Sequence, residues 1–298
     1  MKTKKYLFLC FVFMFCLFPI TSNAFSKDNI SKEKESLLNQ VTELNNKLNI
    51  SNLEINSINR DIKIYGENYT PNSSYSQLIS TTNITQNLNQ SSYEVNSCSI
   101  IEQKEKIEND LTLKDLLEQE IDLNNDIISQ IDSLNKQIEK YDRLEKVTFD
   151  SSDVTKVSNM TVKELEYVLK GTNLEPLAQD FFDAEQEYEV NALFIISIAA
   201  IESGWGTSHR AIYDNNLTGF GVYSDSSKGI NSDTKRGNIL LTAKTLHNNY
   251  LTEGGSCYHG KSIYGVSRSY CTSETWTGKV SNVGNNLYQK CINFYLNN

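Results

Sequence analysis

The sequence predicts an α+β protein: a mainly helical C-terminal domain with a small β-hairpin, preceded by an N-terminal helical coiled-coil region. Three patterns carry that expectation. From Leu37 the apolar residues Leu37, Val41, Leu44, Leu48, Ile55, Ile58 and Ile62 alternate steps of four and three, with Ser51 as the one gap, which is the seam of a helix hidden against another helix. Between Ala192 and Ile201 every residue but Ser197 is apolar, so a helix there is buried on most sides, and Gly204 and Gly206 mark its end. Around Gly219–Tyr223 and Gly229-Ile230, glycines alternate with apolar and aromatic residues, a pattern that suits a turn-rich strand pair.

In chain order, residues 1–24 read as a signal peptide. Lys2, Lys4 and Lys5 form the charged start, Tyr6 to Ile20 the apolar middle, and Ser22-Asn23-Ala24 the small-residue cleavage site. The expected product is secreted, extracellular or cell-wall associated. Residues 25–150 form the coiled-coil region, with a second helical stretch from about Ile100 to Val147 in which Ile127, Ile131, Leu134, Ile138 and Tyr141 repeat the heptad steps. A polar connector at 66–98, rich in Asn, Ser, Thr and Gln, separates the two arms. The arms can fold back as an antiparallel hairpin, the favoured reading, or pair with another chain, so self-association or a cell-envelope partner is the interaction expected of this region. Phe149 to Met160 reads as the linker, and residues 151–298 as the C-terminal domain. There, Thr161-Val162-Lys163-Glu164 opens a helix as a capping box and Gly171 closes it. Leu177–Tyr188, Ile239–Tyr250, Thr275–Val280 and Leu287–Tyr295 supply further helices.

Charge is unevenly spread. Residues 25–150 carry 13 Lys/Arg against 22 Asp/Glu, whereas residues 190–298 carry 9 against 6. A mildly basic lobe suits an anionic surface. With no basic helix, finger spacing or Arg-rich arm, nucleic acid is not an expected partner. Cys98, Cys257, Cys271 and Cys291 remain after the leader, and export permits disulfides among them, in three possible pairings. No C-x-x-C or H-x-x-x-H spacing occurs, so neither a metal nor another cofactor is expected.

The chemistry is expected at Glu202, in the last turn of the apolar helix. Desolvation and the negative end of the helix dipole there would both favour a protonated carboxyl, as a general acid requires. The string IAAIESGWGTS, followed by NNLTGF at Asn215–Phe220, resembles the glucosaminidase family of bacterial peptidoglycan hydrolases, glycoside hydrolase family 73. Downstream, Tyr270-Cys271-Thr272-Ser273, Trp276 and Lys279-Val280 are similar to that family's YATD, Tyr and Lys-Ile. The resemblance spans roughly residues 160–298 and implies a lysozyme-like fold, Glu202 as the catalytic acid and Tyr270 near the cleaved bond. Three positions depart from the pattern: Cys271 for Ala, Ser273 for Asp, and Thr218 for Phe.

Cleaving a β-1,4 glycosidic bond also calls for a second carboxylate or for attack by the substrate's own acetamido oxygen. Asp214, Asp225, Asp233 and Glu274 are candidates, with Asp233 foremost. Sugar recognition needs flat aromatic faces and amides. Trp205, Tyr223, Tyr264 and Trp276 are the expected platforms, and Asn215 and Asn216 the polar contacts, for peptidoglycan glycan strands. The resulting expectation is a secreted endo-β-N-acetylglucosaminidase. The rivals are a lytic transglycosylase or lysozyme-type muramidase, and a non-catalytic glycan-binding surface protein that works through its coiled coil.

Overall fold

The computed structural model describes residues 27–71, 111–221 and 229–297. The first helix, α1 (Lys27–Tyr65), lies antiparallel to α2 (Leu113–Lys146). Near one end Ser31 and Lys34 meet Glu145, midway the Asn124 amide donates to Ser51 Oγ (3.2 Å), and at the far end Leu113 N donates to the Tyr69 carbonyl (2.8 Å). Leu37, Leu134 and Ile138 are buried in the seam, with Val41, Leu44 and Tyr141 packed beside them. The gap at Ser51 in the heptad is thus a buried polar pair with Asn124, which favours one register of the two helices over slipped ones. Thr112 caps α2: its hydroxyl accepts from Asp115 N, and the Asp115 carboxylate accepts from Thr112 N. Gly66 turns the chain in the left-handed region at the end of α1. The rest of the polar connector, and the signal peptide, lie outside the described residues.

Two short helices follow, α3 (Val162–Leu169) and α4 (Ala178–Tyr188), then α5 (Ala192–Ser203). Every residue of α5 from Ala192 to Ala200 is buried, so this helix has no outer face and forms the axis of the domain. Its start is fixed by side chains. Asn191 caps it by accepting from Phe194 N, and the same residue's amide donates to the Thr148 and Lys156 carbonyls. Buried Glu185 accepts from Ala192 N (2.6 Å) and Ser158 N (2.7 Å). Burial pushes Glu185 above its ordinary value, against the hydrogen bonds it accepts from Ala192 and Ser158. Around α5 pack α4, α7 (Lys235–Thr245) and the long C-terminal α9 (Trp276–Leu296). Between them come the single-turn α6 (His209–Tyr213), a π-helical turn at Leu246–Leu251 and α8 (Ile263–Tyr270).

The described residues bear on three expectations. Among the described residues there is no strand; residues 222–228 of the expected β-hairpin lie outside them, and one bond, Ile230 N to the Phe220 carbonyl (2.9 Å), joins its two sides. Gly219 and Gly221 are both left-handed, which bends this backbone away from extended conformation. The two C-terminal helices are one, because Gly284 sits inside α9, where a side chain would run into the Phe149 ring. Finally, the core does not stop at residue 150. Ile30, Leu144 and Val147, all fully buried, belong to the same cluster as α5. The 149–160 segment is woven into the domain: Val154 N donates to the Lys261 carbonyl and Asn191 N to the Val154 carbonyl.

Candidate active site

The apolar helix delivers Glu202 to the surface and then ends abruptly. Gly204, Trp205 and Gly206 adopt left-handed φ values of 57°, 61° and 81° in succession. Ser203 holds this reversal from within, donating its hydroxyl to the Ala199 carbonyl and accepting from Gly206 N (2.7 Å). At Gly206 a Cβ would lie 3.1 Å from Asn173 Cβ and 3.2 Å from Leu174 Cδ2, so the close approach as well as the sign of φ calls for glycine.

Glu202 itself is exposed, a correction to the expectation that burial at the helix tail would desolvate it. The helix is buried up to Ala200, but the next turn projects beyond the core, and the carboxyl stands where the packing ends. What holds it is an aromatic pair. The Trp276 indole N–H donates to Glu202 Oε1 (2.8 Å), and the Tyr270 ring stacks on Trp276 with centroids 5.3 Å apart. Tyr270 ends α8 and Trp276 begins α9, so the short turn between the helices brings both rings to the carboxyl. The Tyr270 hydroxyl donates to the Thr218 carbonyl (2.9 Å), and a third ring, Tyr250, lies 5.8 Å from it. Burial, with the Glu202 charge adding to it, pushes the Tyr270 phenol upward, so it stays a neutral hydroxyl.

On the other side of the carboxyl lies Gly219, at φ 65°; a Cβ there would come 3.3 Å from Glu202 Oε2. Thus Oε1 is held by the indole, while the backbone beside Oε2 carries no side chain. Thr218, one of the three departures from the resembling motif, is 1% exposed and faces inward to Thr242 and Asn238 on α7.

The other expected site residues are placed differently. Trp276 is only 2% exposed: it supports Glu202 from within and offers no open face to a sugar. Trp205 is half-buried against the core. Asn216 is buried, its amide donating to the Phe220 carbonyl and its oxygen accepting from Phe220 N, which closes the loop around Gly219. Asn215 donates to the Ser232 and Asp233 carbonyls. Both asparagines therefore shape the loop in this structure. Asp233 is exposed on that second loop, just ahead of α7, and is held through its backbone carbonyl. Asp214 caps α6, Glu274 is exposed in the turn before α9, and Tyr264 is 67% exposed on α8. Tyr223, Asp225 and Cys98 lie outside the described residues, while Cys257, Cys271 and Cys291 carry free thiols.

Sequence reasoning missed Gly219, Asn238 and Thr242. The last two stand four residues apart, on one face of α7, and that spacing of two polar residues was the available signal.

Residues 178–289, which hold Glu202, Tyr270 and Trp276, match the family model described as Glucosaminidase, mannosyl-glycoprotein endo-beta-N-acetylglucosaminidase. The similarity to that family is confined to these residues. Two Streptococcus pneumoniae proteins from different strains, each named putative endo-beta-N-acetylglucosaminidase, are 30% identical over 146 residues, or 46% of this chain. The match takes in 22% and 20% of their lengths, so this chain spans about a fifth of the curated relatives it matches. Among solved structures, S. aureus autolysin E is similar over 50% of this chain and 76% of its own, at 23% identity and a TM-score of 0.40. A catalytic mutant of autolysin E, in complex with the disaccharide NAG-NAM, is 21% identical with a TM-score of 0.39, covering 50% of this chain and 77% of that one.

Proposed function

We propose that this chain is a secreted glycoside hydrolase that cleaves the β-1,4 bond of peptidoglycan after N-acetylglucosamine, with Glu202 as the general acid. The observation that carries the reading is the carboxyl of Glu202 pinned by the Trp276 indole and backed by Tyr270, inside the segment that matches the glucosaminidase model. The two pneumococcal relatives, each named a putative endo-beta-N-acetylglucosaminidase, support this choice of bond.

The division of labour between the two carboxyl oxygens follows from geometry. An N–H donor on Oε1 fixes the plane of the carboxyl group, and Oε2, flanked by side-chain-free Gly219, delivers the proton to the glycosidic oxygen. A glycan lying over the exposed carboxyl would exclude water from that transfer. Tyr270, kept neutral, adds no charge that would compete with the proton on Glu202. Departure of the leaving sugar generates an oxocarbenium-like centre. Asp233 on the neighbouring loop, or the acetamido oxygen of the N-acetylated sugar itself, stabilises that centre. Residues 1–24 act as the export signal, which suits a substrate outside the membrane.

Mass spectrometry of muropeptides released from purified walls tests the reading. Wild type yields reducing-end N-acetylglucosamine, and Glu202→Gln, which keeps the acceptor for the indole but removes the acid, stays folded and releases none. Reducing-end muramic acid or 1,6-anhydro ends would assign the bond to a muramidase or a transglycosylase. Undiminished release by Glu202→Gln would remove the acid from this residue.

A further inference from the structure

Behind Glu202 lies a buried polar cluster that the chemistry above does not use. Thr218 and Thr242 are each 1% exposed and Asn238 is fully buried. Thr218 Oγ1 is 2.7 Å from Thr242 Oγ1 and 3.4 Å from Asn238 Oδ1, and Leu217 N donates to the same Asn238 oxygen at 2.9 Å. Hydrogen counting orders the cluster. The Asn238 oxygen can only accept, so the single hydrogen of Thr218 goes to it, and the hydroxyl pair is completed by Thr242 donating to Thr218. The cluster thus runs in one direction, from Thr242 through Thr218 to Asn238, with the Leu217 amide as its second donor. Leu217 and Thr218 are thus both tied to α7 by buried groups that have no water to fall back on.

That segment touches the carboxyl from two sides. The Thr218 carbonyl receives the Tyr270 hydroxyl (2.9 Å), and Tyr270 stacks on the indole that holds Glu202 Oε1. The next residue, Gly219, flanks Oε2. A displacement of Thr218 therefore moves the support of one oxygen and the open side of the other together.

We propose that Thr218, Asn238 and Thr242 are positioning residues: a buried hydrogen-bonded clamp on α7 that sets where the Leu217–Gly219 segment, and through it Tyr270 and Trp276, meets Glu202. The proposal rests on the catalytic reading of Glu202, but its structural half does not. A hydroxyl-to-methyl exchange at Thr218 keeps volume and the backbone carbonyl while removing both side-chain bonds. Such an exchange leaves the Asn238 oxygen and the Thr242 hydroxyl each short of a buried partner, and the loop relaxes to find others.

The test uses the full chain with Thr218→Val, Thr218→Ser and Thr242→Val, assayed on solubilised glycan strands well below the melting temperature. It also follows the ¹⁵N indole signals of Trp205 and Trp276, assigned with Trp205→Phe. Thr218→Val is expected to lower kcat about tenfold with KM within about twofold, because only the geometry of proton transfer changes. It also moves the Trp276 indole signal, Thr242→Val does the same to a smaller degree, and Thr218→Ser restores both. A Thr218→Val enzyme with wild-type kcat overturns the clamp, and so does one with lowered kcat but an unmoved Trp276 signal. If the wild type itself releases no glycan, the functional reading fails, and the indole signal alone decides whether Thr218 positions Trp276.

Discussion

Arg143, near the end of α2, is the residue through which the helical arm grips the domain, and its removal has a calculable cost. Its guanidinium donates to both oxygens of Glu164, from Nε at 2.8 Å and from a terminal nitrogen at 2.5 Å, and to the Asn159 carbonyl. The Glu164 side chain is 2% exposed, against 23% for Arg143, so Arg143→Met strands a buried carboxylate. Breaking a buried pair from one side costs about 3–5 kcal/mol. Here Glu164 keeps three donors, the Tyr295 hydroxyl (2.6 Å), Thr161 N (2.6 Å) and the Thr161 hydroxyl (2.9 Å), which brings the loss to the bottom of that range or just below it, about 2–3 kcal/mol. For a chain of this size that corresponds to a fall in Tm of roughly 5–10 °C. Urea denaturation followed by circular dichroism on wild type, Arg143→Met, Glu164→Gln and the double variant measures it. The double variant, which removes the stranded charge, recovers most of the loss. A single-variant loss below about 1 kcal/mol, or a double variant as unstable as the sum of the two singles, would refute the reasoning.

Two further outcomes follow. Trp276→Phe keeps the stacked ring but deletes the indole donor to Glu202 Oε1, and is expected to cost about tenfold in kcat on wall fragments with little change in fold; unchanged kcat would mean the indole is merely core. Acid stability reports Glu164. Burial alone would raise it, but the hydrogen bonds from Arg143, Tyr295 and Thr161 prevail and hold the carboxyl below its ordinary value of 4.5. The unfolded chain therefore binds the proton more readily, so this contribution is full above pH ~4.5 and is lost as pH falls through the lower folded value. Urea midpoints measured against pH should drop on that acid limb, and Glu164→Gln should flatten it.

Much of the domain was readable from local pattern. The capping box at Thr161, the apolar run ending at Glu202 and the heptad steps from Leu37 each depend on neighbours a few residues away, and each lies in a helix of the structure. What stayed hidden depends on partners distant in sequence. Trp276 reads equally well as an open platform or as core until the fold sets its nitrogen against a carboxyl 74 residues away. Periodicity placed Glu202 at a helix end but could not reveal how far the last turn projects, so its exposure was misjudged. Asn215 and Asn216 suggested ligand contacts, yet such amides also satisfy tight loops, and here their hydrogen bonds go to backbone. The boundary at residue 150 followed composition, whereas Ile30 and Leu144 are claimed by a core whose other walls come from α5 and α9.

The rooting of both arm helices in that core fixes the mechanics of the whole molecule. With Ile30 and Leu144 at the base and Tyr69 bonded to Leu113 at the far end of the described helices, the helix pair is a stiff lever about 50 Å long. Anything joined ahead of Lys27 tethers the molecule at its fulcrum, close to the globular end. A load on the far end is instead delivered through Arg143 to Glu164 on α3 and, by the Tyr295 hydroxyl, to α9, the helix that begins at Trp276.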